Sequence, residues 1–122
     1  MTSDAAPDPV AAALAAYAAG EVPDREVERA AVRATLDALV AAAPGRSVEV
    51  RIPPYAAVQA VAGTTHRRGT PPATVEADAR TWIEVATGRL DWAAAVASGR
   101  VRASGQRSDL SGFLPVRRVD HG

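Results

Sequence analysis

Cysteine is absent from the chain, which excludes disulfides, thiolate nucleophiles and thiolate metal ligands and fits a reducing compartment. Lysine is absent too, so all 14 basic residues are arginine. Aromatic residues are scarce: two tryptophans, two tyrosines and one phenylalanine, none of them set among the arginines. A nucleic-acid surface, which interleaves cations with stacking rings, is therefore not expected. Neither sign of charge is in excess. The 14 acidic residues balance the arginines, so no net field draws the chain to nucleic acid or anionic membrane. The two histidines, His66 and His121, are too few for the three or four ligands of a metal site; His66 reads as a solvated loop residue. No nucleophile elbow, phosphate-binding glycine loop or HExxH helix occurs. Glu84 and Asp91 have no carboxylate partner at a spacing that suits acid/base work, and Ser104 and Ser108 have no nearby histidine. No catalytic residue, metal or cofactor is expected. Long apolar runs are missing as well. Val10–Ala19 is mostly alanine and far short of the ~20 residues of a membrane span. Asp4 and Asp8 precede it in place of the positive charge of a signal peptide. The expectation is a cytoplasmic, non-enzymatic protein without stable membrane insertion.

What is present is a chain of 122 residues, the size of one domain. Alanine makes up about a quarter of it. We read the excess of Ala, Arg, Gly and Pro as the coding bias of a GC-rich genome, so arginine number alone carries no argument. Residues 1–8 read as a flexible leader and 117–122 as a flexible tail of a single domain spanning 1–122. Pro9 after Asp8 starts a helix that Gly20 stops, with Val10, Leu14 and Tyr17 along one stripe. Asp24 caps a second helix running to Ala43 before Pro44-Gly45. Its apolar face is Val32, Leu36, Leu39, Val40 and Ala43; a second face repeats arginine at Arg25, Arg29 and Arg33, followed by Asp37. That second face reads either as solvated or as an anion site.

The period then changes from helical to alternating. SVEVRI points Val48, Val50 and Ile52 one way and Glu49 and Arg51 the other, a half-buried strand stopped by Pro53-Pro54. YAAVQAVA reads as a second strand, GTTHRRGTPP as a loop and ATVEA as a third strand. Asp78 caps a helix ending at Gly88, Asp91 caps the short helix WAAAVAS, and RVRAS forms a last strand between Gly99 and Gly105. The order is helix, helix, strands, helix, helix, strand. It predicts an α+β fold: a small, mostly antiparallel sheet covered on one face by helices.

Two features admit a functional reading. Basic clusters stand at His66-Arg67-Arg68, at Arg100, Arg102 and Arg107, and at Arg117-Arg118; Arg100 and Arg102 share one strand face and suit either solvent or a carboxylate or phosphate. Trp82 and Trp92 lie on successive helices around a glycine-marked corner. Either both plug a core short of large side chains, or at least one lines an apolar cavity. The alanines of WAAAVAS fill little volume, so this helix either approaches the sheet closely or leaves a void. An empty void costs ~24 cal/mol per Å³, which a ligand recovers by filling it.

The stretch TVEADARTWIEVATGRLDWAAAVASGRVRASGQRSDL, residues 74–110, resembles the C-terminal part of the sterol carrier protein domain family: a short strand, a helix ending in an ATGR-like turn, a second helix, a glycine, a strand and a glycine. With RIPPYAAVQAVAG and SDLSGFLPV, it looks like the short actinobacterial branch known as bacterial orthologues of that domain. The resemblance implies about five strands covered by helices, with an apolar tunnel between. It also implies binding of fatty acids, acyl thioesters or sterols without transforming them. The chain departs from the family in its N-terminal alanine-rich helical pair and in a short region between Ile52 and Pro72. The absence of an attached catalytic domain points away from the family's enzyme-fused uses. On this reading the apolar candidates for the cavity are Trp82, Val85, Leu90, Trp92, Val96, Phe113 and Leu114, with Arg89 or Arg102 as head-group contact. The partner is an apolar small molecule such as a fatty acid. Two rivals remain open: an interaction module with a filled core that meets a protein partner or a second copy as a homodimer, and an accessory domain to a separate enzyme.

Overall fold

The structure is a computed structural model that describes residues 8–63 and 73–119. The leader up to residue 7, most of the GTTHRRGTPP loop with His66, Arg67 and Arg68, and His121 in the tail lie outside the described residues. The elements follow the chain as α1 (Pro9–Ala18), α2 (Arg25–Ala42), β1 (Val48–Ile52), β2 (Ala56–Ala60), β3 (Ala73–Ala77), α3 (Ala79–Ala86), α4 (Trp92–Ala97) and β4 (Val101–Ser104), with a single 3-10 turn at Ser111–Phe113. Each α-helix begins where an aspartate can cap it. Asp8, Asp24, Asp78 and Asp91 accept the backbone N–H of Val10, Glu26, Thr81 and Ala94, satisfying donors that the first turn leaves without helical partners.

The four strands form one sheet in the order β2-β1-β3-β4. β1 pairs antiparallel with β2 and β3 with β4, whereas β1 and β3 run parallel. The fold is α+β, as the pattern of periods predicts, with two of three pairings antiparallel and four strands among the described residues. The parallel pair follows from where the chain emerges. Val48 lies opposite both Ala60, the last residue of β2, and Ala73, the first of β3. β2 therefore delivers the chain to the end of β1 at which β3 must start, and the connection crosses only two strand spacings, about 10 Å.

Alternation sorts the sheet into two faces. Val48, Val50, Ile52, Val75 and Val101 are buried beneath the helices. Arg51, Glu76 and Arg102 stand side by side on the opposite face, in neighbouring register, and their neighbours on that face are Glu49, which pairs with Arg51, and the hydroxyl residues Thr74 and Ser104. α2 packs on β2, α1 on α2 and α3, and α4 on β4. The helical stripes read from the sequence supply the core: Val10, Leu14 and Tyr17 from α1, and Val32, Leu36 and Leu39 from α2. Among the described residues no buried side-chain nitrogen or oxygen lacks a hydrogen-bond partner, and no helix is long and apolar enough to cross a membrane.

Candidate functional site

The α3–α4 corner is built by two caps and a returning segment. α3 is short and buried along most of its length, presenting Ala79, Thr81, Trp82, Ile83, Val85 and Ala86 inward. The chain turns through Gly88, Arg89 and Leu90 before Asp91 caps α4. After β4 it comes back over this corner. Leu110 is fully buried, the 3-10 turn follows, and the N–H groups of Val116 and Arg117 both donate to the Ala86 carbonyl, at 2.9 and 3.3 Å. Two further contacts pin the segment. Asp109 accepts the Ser111 N–H at 2.9 Å; the backbone and hydroxyl of Ser111, with the Trp92 indole N–H, hold its carboxyl below the usual carboxylate range. The Arg117 guanidinium binds the Asp8 carboxylate at the start of α1.

Between the corner and this segment lies an open cleft of about 280 Å³, lined by Val85, Gly88, Leu90, Asp91, Trp92, Ser111, Leu114, Pro115 and Arg118. It brings together Val85, Leu90, Trp92 and Leu114 from the candidates named by sequence. The others stand elsewhere. Trp82 is fully buried and its indole N–H donates to Thr35 Oγ1 at 2.8 Å, so it fills the space between α2 and α3. Val96 is 37% exposed and lines a separate groove along β4. Phe113 is 36% exposed on the 3-10 turn. Of the two arginines, Arg102 stands on the open sheet face and pairs with Glu76 at 2.5 Å. Arg89 sits in the turn beside the cleft and is already engaged there.

The cation that lines the cleft is Arg118, and among the described residues no carboxylate lies within ion-pair distance of it. Its sequence signal was the Arg117-Arg118 pair, but nothing local placed that pair here. The placement comes from the Ala86 carbonyl, which captures the backbone just upstream. Ser111 and Pro115 enter the lining on the same returning segment, and Asp91 enters it as the cap of α4. The lining mixes the apolar side chains of Val85, Leu90, Trp92, Leu114 and Pro115 with the polar ones of Asp91, Ser111 and Arg118, a combination that can hold a ligand with one polar end.

A second polar cluster lies across the molecule. Both oxygens of Glu28 are used: Tyr17 donates its hydroxyl to Oε2 at 2.5 Å and Tyr55 donates to Oε1 at 2.7 Å. Burial and then the Glu28 hydrogen bond push the Tyr17 hydroxyl far above the ordinary phenol range, and the Glu28 bond chiefly raises Tyr55. Arg80 lies over the Tyr17 ring, 5.3 Å from its centre. This cluster ties α1, α2 and the β1–β2 turn together.

The bacterial SCP ortholog family matches residues 24–116. The chain belongs to this family, which is sterol carrier protein-like. The match covers α2 through the 3-10 turn, hence the whole described sheet and most of the cleft lining. The family's bounds leave out α1 and Arg118. A search of curated proteins finds no match.

Proposed function

We propose that this chain is a non-catalytic carrier domain that holds an apolar ligand with an acidic head, such as a fatty acid, in the α3–α4 cleft, and that it works in the cytoplasm. One observation carries the reading: Val85, Leu90, Trp92 and Leu114 converge on a single cleft with Arg118 among its lining residues. Membership of a sterol carrier protein-like family supports it. The volume of about 280 Å³ is just below the usual range of small-molecule sites, ~300–1,000 Å³. It suits a short or medium acyl chain. Burying eight methylenes contributes roughly 6 kcal/mol, and a carboxylate can take a two-pronged hydrogen bond from the Arg118 guanidinium.

The test is displacement of a fluorescent fatty acid, read with octanoate and with its methyl ester. Octanoate displaces the probe; Leu114→Glu, which puts charge in the cleft, weakens this at least about tenfold. Arg118→Ala weakens the acid more than the ester. Failure of any acyl compound to displace or bind, with the variants indistinguishable from the parent, removes the proposal.

A further inference from the structure

A second groove, remote from this cleft, lies between α2 and β2. It holds about 330 Å³ and is lined by Glu26, Arg29, Ala30 and Arg33 of α2 and by Tyr55 and Ala56. The four helical positions are spaced i, i+3, i+4 and i+7, so one face of α2 forms the wall. The arginine repeat seen in the sequence points partly into this groove, and the carrier reading gives it no role. We infer that the groove binds an extended acidic peptide segment, added as a strand to the β2 edge.

Among the described residues the edge is open and unguarded: β2 is the outermost strand on its side of the sheet, and its sequence AAVQA carries neither charge nor proline, the usual protections of an edge strand. The opposite edge, β4, carries Arg102 and is shorter. The backbone of β2 is also correctly phased. The Ala73 N–H donates to the Ser47 carbonyl at 3.2 Å and the Tyr55 N–H to the Ile52 carbonyl at 2.9 Å, so the odd-numbered residues of β1 turn their backbone groups to β3 and the even-numbered ones to β2. By alternation Val48, Val50 and Ile52 bond to Ala60, Val58 and Ala56, while Ala57 and Gln59 direct their N–H and C=O outward. Strand addition needs such a row of outward groups beside a side-chain groove.

Charge selects the occupant. Arg29 pairs with Glu26 at 3.7 Å and Arg33 with Asp37 at 3.3 Å, and all four side chains are more than half exposed. Pairs this exposed contribute little, so both guanidiniums are free to turn to better-placed carboxylates. Glu26 is the one acid in the lining. The nearby Glu28 has both oxygens taken by Tyr17 and Tyr55, which also fixes the Tyr55 ring. Arg29 and Arg33 stand one helical turn apart, a rise of about 6 Å. Alternate residues of an extended strand repeat at about 6.8 Å. A segment running along α2 with acids at every second position therefore meets both arginines while its backbone pairs with β2.

The test uses the full chain and a fluorescein-labelled heptapeptide alternating valine and glutamate, with its valine–lysine counterpart as control. Fluorescence anisotropy is expected to give micromolar binding of the acidic peptide alone, weakened at least tenfold by 0.5 M salt. R29E/R33E, confined to exposed side chains, is expected to abolish binding without changing the fold. Gln59→Pro removes an outward N–H and keeps the bonds to β1, and is expected to weaken binding at least tenfold. Equal binding of both peptides, or acidic-peptide binding that survives R29E/R33E, overturns the inference. So does light scattering that shows a dimer broken by Gln59→Pro, since a second copy then occupies the edge. Octanoate competes at the other cleft and leaves peptide binding unchanged, so failure of one reading does not decide the other.

Discussion

At the scale of single residues, Trp82 shows why a scarce aromatic had to be placed before its role could be assigned. Its ring is fully buried, and its N–H is satisfied by the hydroxyl of Thr35, which itself donates to the backbone of α2 at Ala31 or Val32. Thr35→Val keeps the shape and removes the acceptor. The stranded indole donor is expected to cost about 1–3 kcal/mol, measured by urea unfolding; a loss below about 0.5 kcal/mol would mean that the bond adds nothing net. The tyrosines give a pH prediction. Only the neutral phenol donates to Glu28, and both folded values are raised. The stability they bring is therefore whole below the ordinary phenol value near pH 10 and is lost as pH rises through the folded values. Tyr17 and Tyr55 are the chain's two tyrosines, so tyrosinate absorbance reports them alone. It is expected to appear together with alkaline unfolding in the parent chain, and at lower pH in Glu28→Gln.

At the scale of elements, capping aspartates and glycine stops were legible because they act within one turn of chain. Asp78 and Asp91 both cap where the sequence places them. The glycines look alike in sequence yet do different work. Gly99 and Gly105 both have positive φ, +80° and +90°; a Cβ on Gly99 would meet nothing within 4 Å, whereas one on Gly105 would lie 2.9 Å from the Ala73 Cα. Gly99→Ala is expected to cost roughly 1 kcal/mol for its left-handed backbone. Gly105→Ala carries that strain plus a backbone clash that pushes β4 from β3, so its cost is expected to exceed that of Gly99→Ala by about 2 kcal/mol. Urea midpoints of the two variants check the order; equal midpoints would show that the β3–β4 end yields freely.

At the scale of the whole molecule, the buried core extends beyond the family match of residues 24–116. α1 lies outside that span but buries Val10, Leu14 and Tyr17 in the common core, and Asp8 at its start holds Arg117. Each such side chain contributes ~1.5–3 kcal/mol by burial. Their sum is comparable to the ~5–15 kcal/mol that holds a domain folded. A chain begun at Asp24 is therefore expected to lose its cooperative melt and bind a hydrophobic dye; a sharp transition near the parent's would show that α1 is dispensable.

Across these scales, the sequence by itself determined what neighbours along the chain decide: the periods of α1, α2 and β1, the four caps, the turns and the α+β class. Apolar character and the helical corner named seven cavity candidates, of which Val85, Leu90, Trp92 and Leu114 line the cleft and Trp82, Val96 and Phe113 do not. Tertiary structure alone decided the parallel β1–β3 pair, the use of Trp82 as core, the arrival of Arg118 at the cleft and the open β2 edge beside α2. Period and capping are set by forces that reach one helical turn or one strand residue. These other features depend on which distant segments the chain returns to one another, and the pattern along a single chain does not encode that return.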